Sequence, residues 1–225
     1  PSNDTYRGTA PFSEPELQAI DRFMRAHQIK TCYNYHTYGN YLIYPWGYLS
    51  RENADSIVFR DWAHSITGSN RYTNGTDQQT VNYSTRGNSD DYMFGDTTKA
   101  RTWAMTPEVG TTGFWPSQAE IFPLAIENLQ QNKFLAYFAG HYTTVVATSI
   151  HDGGNADGFL NRGESFSLMT RVKNRGVSIG TNVRILATSS NSSIQFSADP
   201  ILLNSVQPLT EYGVSLNGTV AANAA

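Results

Sequence analysis

The 225-residue chain has a single cysteine, Cys32. It can therefore form no internal disulfide and no multi-thiolate metal centre. No apolar run approaches the roughly 20 residues that a bilayer-spanning helix needs, so no membrane span is expected. Charged residues make up only 16%, scatter along the chain and sum to −3, which leaves no basic stripe and argues against nucleic acid as a partner. A Gly-x-Ser-x-Gly elbow is missing, and with it the usual signature of an α/β serine hydrolase. A His-x-x-Glu pair is missing too. His27, His36, His64, His141 and His151 are followed three residues on by Lys30, Gly39, Thr67, Thr144 and Gly154. Pro1 is not an initiator methionine and no signal peptide follows it, so the chain reads as a piece of a longer or processed protein.

Hydrophobic residues at 39% and aromatics at 12% suffice for a globular core. Ser13 with Glu16 reads as a capping box, and Leu17, Ile20, Phe23, Met24 and His27 then recur at helical spacing, so residues 14–27 are predicted as a helix. Residues 29–36 read as a buried strand and 41–44 as its short continuation, stopped at Pro45. Val58, Trp62 and Ile66 mark a helix over 52–66, and 79–84 reads as a short strand. Ser89 and the acidic pair Asp90-Asp91 open a short helix, and 100–108 is a strand. Ser117 with Glu120 opens a long helix to 139, with Ile121, Leu124, Ile126, Leu129, Leu135 and Phe138 on its buried side. Strands alternating with helices imply an α/β fold, a mostly parallel mixed sheet with flanking helices and a site at the strand ends.

After Gly140 the texture changes to short strands separated by turn residues. Residues 1–142 are thus one domain, and 143–225 a small immunoglobulin-like β-sandwich, short for its class. In IHDGGNADGFLNRGE, residues Asp152, Asn155, Asp157, Asn161 and Glu164 form an oxygen-rich run. Such a run suits a calcium ion or, alternatively, a turn network in which the side chains bond their own backbone.

The segment TCYNYHTYGNYLIYPWGY at 31–48 ends an apolar strand on His36. It is followed in order by Tyr83 in NYSTRGNSDDY, Glu108 in TWAMTPEVG, and GFWP at 113–116. This succession resembles the zinc metallocarboxypeptidases of the carboxypeptidase A and T type, over the C-terminal half of their catalytic domain. The resemblance implies that His36 is a zinc ligand and that Glu108 is the general base taking a proton from the zinc-bound water. It makes Tyr83 the mobile tyrosine that closes over substrate, with Tyr38 lining an outer subsite. The pocket for the substrate's C-terminal side chain then draws on Ile43, Gly47, Ser89, Asp90 and Thr106. Asp90 there would suit a Lys or Arg end; the alternative is that it caps a helix or pairs with Arg86.

A catalytic zinc takes three protein ligands plus water, and the family's His-x-x-Glu would have to come from a complementary N-terminal segment. The expected function is zinc-dependent hydrolysis of the C-terminal peptide bond of peptides, with Zn2+ as cofactor. The alternative is an inactive peptide- or cell-wall-binding module that keeps the cleft. Few charges, many Asn, Ser, Thr and Gly, and the trailing β module resemble secreted bacterial hydrolases, which implies a secreted or periplasmic setting.

Overall fold

The computed structural model describes residues 6–155 and 157–224. They fall into two compact units, one ending at Ala136 and the other beginning at Tyr137.

The first unit is built on a four-stranded sheet. Its strands are β1 (Thr31–Tyr33), β2 (Tyr41–Ile43), β3 (Thr73–Gly75) and β4 (Trp103–Glu108), in the order β1-β4-β2-β3. β1 runs parallel to β4 and β2 parallel to β3, while β2 and β4 are antiparallel. The helices are α1 (Pro15–Ala26), α2 (Ser56–Thr67), α3 (Asp77–Thr80), α4 (Ser89–Gly95), α5 (Ile121–Glu127) and α6 (Leu129–Ala139). The expected mixed α/β sheet is present.

Alternation along β1 decides what meets what, because successive strand side chains point to opposite faces. Thr31, Tyr33 and Tyr35 reach α6: the Thr31 hydroxyl donates to Leu135 O at 3.2 Å, Tyr33 to Gln131 O at 3.4 Å and Tyr35 to Asn132 Oδ1 at 2.9 Å. Cys32 and Asn34 look the other way. Cys32 packs on the cluster of Met24, Met93 and Ala104, and Asn34 approaches Met93 and Asp90. Behind β4, Phe59 and Trp62 of α2, Phe94 of α4 and Trp103 stack with ring centroids 5.0–5.3 Å apart. Such offset and tilted pairs add to the area buried.

Several elements differ from the sequence reading. Hydrogen-bonded strand covers only 31–33 of the expected 29–36, and His36 rejoins β4 through an isolated bridge to Glu108. Residues 79–84 are not a strand. α3 occupies 77–80, with Gln79 Oε1 accepting the Thr76 N–H at 2.9 Å in a capping box. Ser13 does not cap α1, since its hydroxyl donates to Glu14 instead. Ser117 and Glu120 do form their box, but the helix behind them is a 3-10 turn, then α5 and α6, parted at Asn128. Ile121, Ile126 and Leu129 are exposed, as are Leu17, Ile20 and Phe23 of α1. Helical spacing identifies an apolar face, and nothing among the described residues covers these.

The second unit is a small β-sandwich. β5 (Thr143–Asp152), β6 (Ser165–Asn174), β10 (Glu211–Val220) and β8 (Ile194–Phe196) form one antiparallel sheet in that order, and β7 (Gly180–Ile185) pairs with β9 (Ile201–Val206) in the other. β10 alternates strictly, burying Val214, Leu216, Gly218 and Val220 and exposing the residues between them. Phe166, Val220 and Ala224 form a core patch with Leu160, Ile194 and Phe196 against it.

Candidate active site

The register Cys32↔Ala104 carries forward so that Asn34, His36, Thr106 and Glu108 line a common cleft. The backbone locks this end, with His36 N–H donating to Pro107 O at 2.9 Å and Val109 N–H to His36 O at 3.0 Å. His36 Nδ1 stands 3.2 Å from the Glu108 carboxylate. The imidazole is 63% exposed and the Glu108 side chain 14%, so an open ring sits over a largely enclosed acid.

Two recesses meet at this pair. One, of about 240 Å³, is lined by Asn34, Ile43, Asp77, Thr85, Ser89 and Thr106, among others. The other, of about 410 Å³, carries Thr37, Tyr38, Gly39, Tyr41, Thr80 and Phe114. His36, Val81, Tyr83 and Glu108 belong to both walls. Tyr83 is exposed at the mouth, and Tyr38 meets Phe114 edge to face at 5.1 Å. Of the residues expected from sequence, His36, Glu108, Tyr83, Tyr38, Ile43, Ser89 and Thr106 are thus gathered on one cleft.

Two are placed otherwise. Gly47 lies behind the wall, where its N–H donates to Asp91 Oδ1 at 2.9 Å and Tyr48 N–H to Asp91 Oδ2 at 3.1 Å. Asp90 neither lines the cleft, caps α4 nor pairs with Arg86. It is 1% exposed, and it accepts from Asn34 Nδ2 at 2.5 Å and from the Thr106 hydroxyl at 2.7 Å. Burial pushes its pKa up to about 7. Besides Glu108, the carboxylate on the first recess belongs to Asp77, which the sequence reading passed over. Its Oδ2 accepts from the Thr85 hydroxyl and from Asn88 Nδ2, the latter at 3.3 Å, and burial raises its pKa. Thr76 and Gln79, spaced as a capping box, were the available signal for that turn.

In the second unit, several oxygens of the 152–164 run are engaged by the loop itself, while Asp152 Oδ2 is buried without a hydrogen-bond partner. Asp152 Oδ1 accepts from Gly154 N–H at 2.7 Å, Asp157 Oδ1 from Phe159 N–H at 2.8 Å and Glu164 Oε2 from Asn161 N–H at 2.7 Å. Asn155 and Asn161 both donate to Asp157 Oδ2. These bonds hold the Asp157 carboxyl below its usual pKa, the Phe159 N–H contributing most. These bonds form the turn network of the alternative reading, and among the described residues no cluster of three metal-ligating side chains supports calcium there.

Residues 1–131 match the family model described as zinc carboxypeptidase. The chain belongs to that family. Among the proteins it resembles are mast cell carboxypeptidase A of Rattus norvegicus, 31% identical over 153 residues, and carboxypeptidase B of Astacus astacus, 30% identical over 150 residues. The alignments cover 64% and 61% of this chain but only 37% and 48% of those relatives, so it spans a third to a half of their length. Among solved structures, bovine thrombin-activatable fibrinolysis inhibitor in complex with tick carboxypeptidase inhibitor superposes with a TM-score of 0.48 at 28% identity, covering 57% of this chain and 46% of that one.

The family's zinc can be tested against the donors present. Among the described residues no three His, Cys, Asp or Glu side chains gather as a metal site. His36 is a single imidazole beside a single carboxylate, which falls short of the three protein ligands a catalytic zinc takes. The donor set of this chain alone does not fit the metal.

Proposed function

We propose that the first unit is the portion of a carboxypeptidase A/T-type catalytic domain that carries its base, its closing tyrosine and its side-chain pocket. Joined to a segment that supplies His-x-x-Glu, it would release single residues from peptide C-termini. The observation that carries this reading is the position of Glu108, on the wall shared by two recesses. A peptide lying across that wall puts its last side chain in the 240 Å³ recess and its preceding residue against Tyr38 and Phe114. The scissile bond then lies over Glu108.

In that pose Glu108 accepts a proton as water adds to the carbonyl carbon. It returns the proton to the amine nitrogen as the C–N bond breaks. Tyr83, exposed at the mouth, closes over the substrate terminus, and His36 contributes one metal ligand. The second unit, residues 143–225 in the sequence reading, serves as an accessory β-sandwich of a secreted or periplasmic enzyme, a setting its low charge and hydroxyl-rich surface support.

The test is reconstitution. The chain, mixed or fused with a segment bearing His-x-x-Glu and loaded with zinc, should release free amino acids from hippuryl dipeptides. A correctly folded, zinc-loaded complex with no such activity would favour the binding-module alternative.

A further inference from the structure

The four-stranded sheet of the second unit carries a trough of about 490 Å³. Strand alternation sends Ser165 and Ser167 of β6, Asn217 and Thr219 of β10 and Gln195 of β8 to one face, and the strand register sets them in rows. Gln195, Thr219 and Ser165 stand side by side across three strands. Asn217 and Ser167 make the next row, and Ser197 extends the rim, its N–H donating to Asn217 O at 3.0 Å. The floor is backed from the opposite face. Phe166 and Phe196 meet there edge to face at 5.5 Å, and a Cβ on Gly218 would come within 2.4 Å of the Phe166 ring.

The side chains of this trough are hydroxyls and carboxamides, which both donate and accept hydrogen bonds. Ser165, Gln195, Asn217 and Thr219 are exposed. Among the described residues one bond joins the set, from the Ser167 hydroxyl to Asn217 Oδ1 at 3.0 Å. It fixes the carboxamide and leaves the Asn217 Nδ2 donors to a ligand. No lysine, arginine, aspartate or glutamate is among the lining residues, and Arg171 and Glu211, further along the same face, bond each other at 3.3 Å. A charged ligand would find no counter-charge here. A lipid or apolar peptide would strip water from these polar groups and return no hydrogen bonds. A peptide strand adds to a sheet edge, not to its face. The complementary ligand is uncharged and dense in hydroxyls.

We propose that this trough binds a neutral polysaccharide chain. Adjacent ring hydroxyls bond the carboxamides of Gln195 and Asn217, which supply a donor and an acceptor side by side, and Thr219 bonds between them. This gives the second unit a ligand of its own, and it holds whether or not the first unit hydrolyses peptides.

The test is an NMR titration of the 225-residue chain with three probes at millimolar concentration: cellohexaose, N-acetylated chitohexaose and, as the carboxylated control, hexagalacturonate. At least one neutral hexamer should shift the backbone amides of Ser165, Ser167, Gln195, Asn217 and Thr219, and hexagalacturonate should leave them unmoved. Asn217→Ala and Gln195→Ala should each weaken that binding about fivefold, with melting temperatures unchanged because both side chains are exposed. Failure of both neutral hexamers to shift these amides overturns the proposal. So do shifts confined to the first unit, equal binding of hexagalacturonate, or an affinity that survives in both folded variants.

Discussion

His36 Nδ1 lies 3.2 Å from the Glu108 carboxylate, joined to it through a parallel bridge beyond the end of β1. The two are held by backbone bonds on either side, so the acid keeps its place whether or not the ring moves. If Glu108 is the base and His36 the ligand, Glu108→Gln should cost the reconstituted enzyme about a hundredfold or more in kcat and leave its zinc content unchanged. Substantial residual turnover would remove the acid from that role.

Zinc should behave differently in the two forms. One imidazole offers the isolated chain no chelate, so equimolar zinc should leave its melting temperature unmoved. In the reconstituted enzyme His36→Ala should weaken zinc binding by at least about tenfold. Stoichiometric zinc retained by the dialysed 225-residue chain would reveal ligands other than His36.

Much of this cleft was legible in the sequence because strand alternation is a local rule: once His36 ended a strand, its neighbours on that face followed. Asp77 was not legible. The run TVNYST at 80–85 has the β-branched and aromatic look of a strand, yet the capping box at Thr76 and the bonds that Thr85 and Asn88 donate to Asp77 fold its approach into a helical turn. Asp90 was misplaced for a related reason. An acid at the start of a helix reads as solvated, and only the tertiary partners Asn34 and Thr106 explain its burial. The exposed faces of α1 and α5 mark the limit of periodicity, which tells that a helix has an apolar side and not what lies against it.

Burial gives Asp90 a pH signature. Its pKa rises from 3.8 to about 7, so the folded chain holds a proton that the unfolded chain has lost across that interval. The stability it contributes is complete below about pH 4 and disappears as pH climbs through about 7, up to about 4 kcal/mol in all. Asp77 and Asp91, raised mainly by burial, act in the same direction. Asp21 and Asp96, lowered mainly by bonds from Arg25 and Thr98, oppose them, but from the surface. Asp90→Asn mimics the protonated acid, so its melting temperature should fall less than the parent's between pH 5 and pH 7.5. Parallel profiles for the two proteins would contradict the assignment.

Gly47 is required by crowding, not by backbone conformation. A Cβ there would come within 2.5 Å of Asn88 Nδ2, 2.6 Å of Thr85 Oγ1 and 2.8 Å of Asp77 Oδ2. Gly47→Ala must therefore displace the group that shapes the first recess, at a cost of about 1–3 kcal/mol. Gly213→Ala is the control, since nothing lies within 4 Å of its Cβ position, and it should change stability by less than about 0.5 kcal/mol. Equal melting temperatures for both variants would mean that the recess yields freely.

In the second unit the comparable residue is Asn174, fully buried at the end of β6. Its Oδ1 accepts from Tyr142 N–H at 3.1 Å and Gly176 N–H at 3.0 Å, and its Nδ2 donates to Ser178 O at 2.8 Å and Val206 O at 3.2 Å. Every bond the amide can make here goes to backbone, so one side chain satisfies four main-chain groups drawn from the start of the unit, the turn after β6 and the end of β9. Asn174→Leu fills similar volume but leaves those groups without partners, which should cost about 3–5 kcal/mol. Asn174→Asp should not rescue it, because a carboxylate replaces neither donor and brings a charge into a buried site. Hydrogen exchange gives a local check: the Tyr142 and Gly176 amides should lose protection first in the leucine variant. Protection unchanged at both would show that water or a neighbouring carbonyl takes over, and that the amide is dispensable.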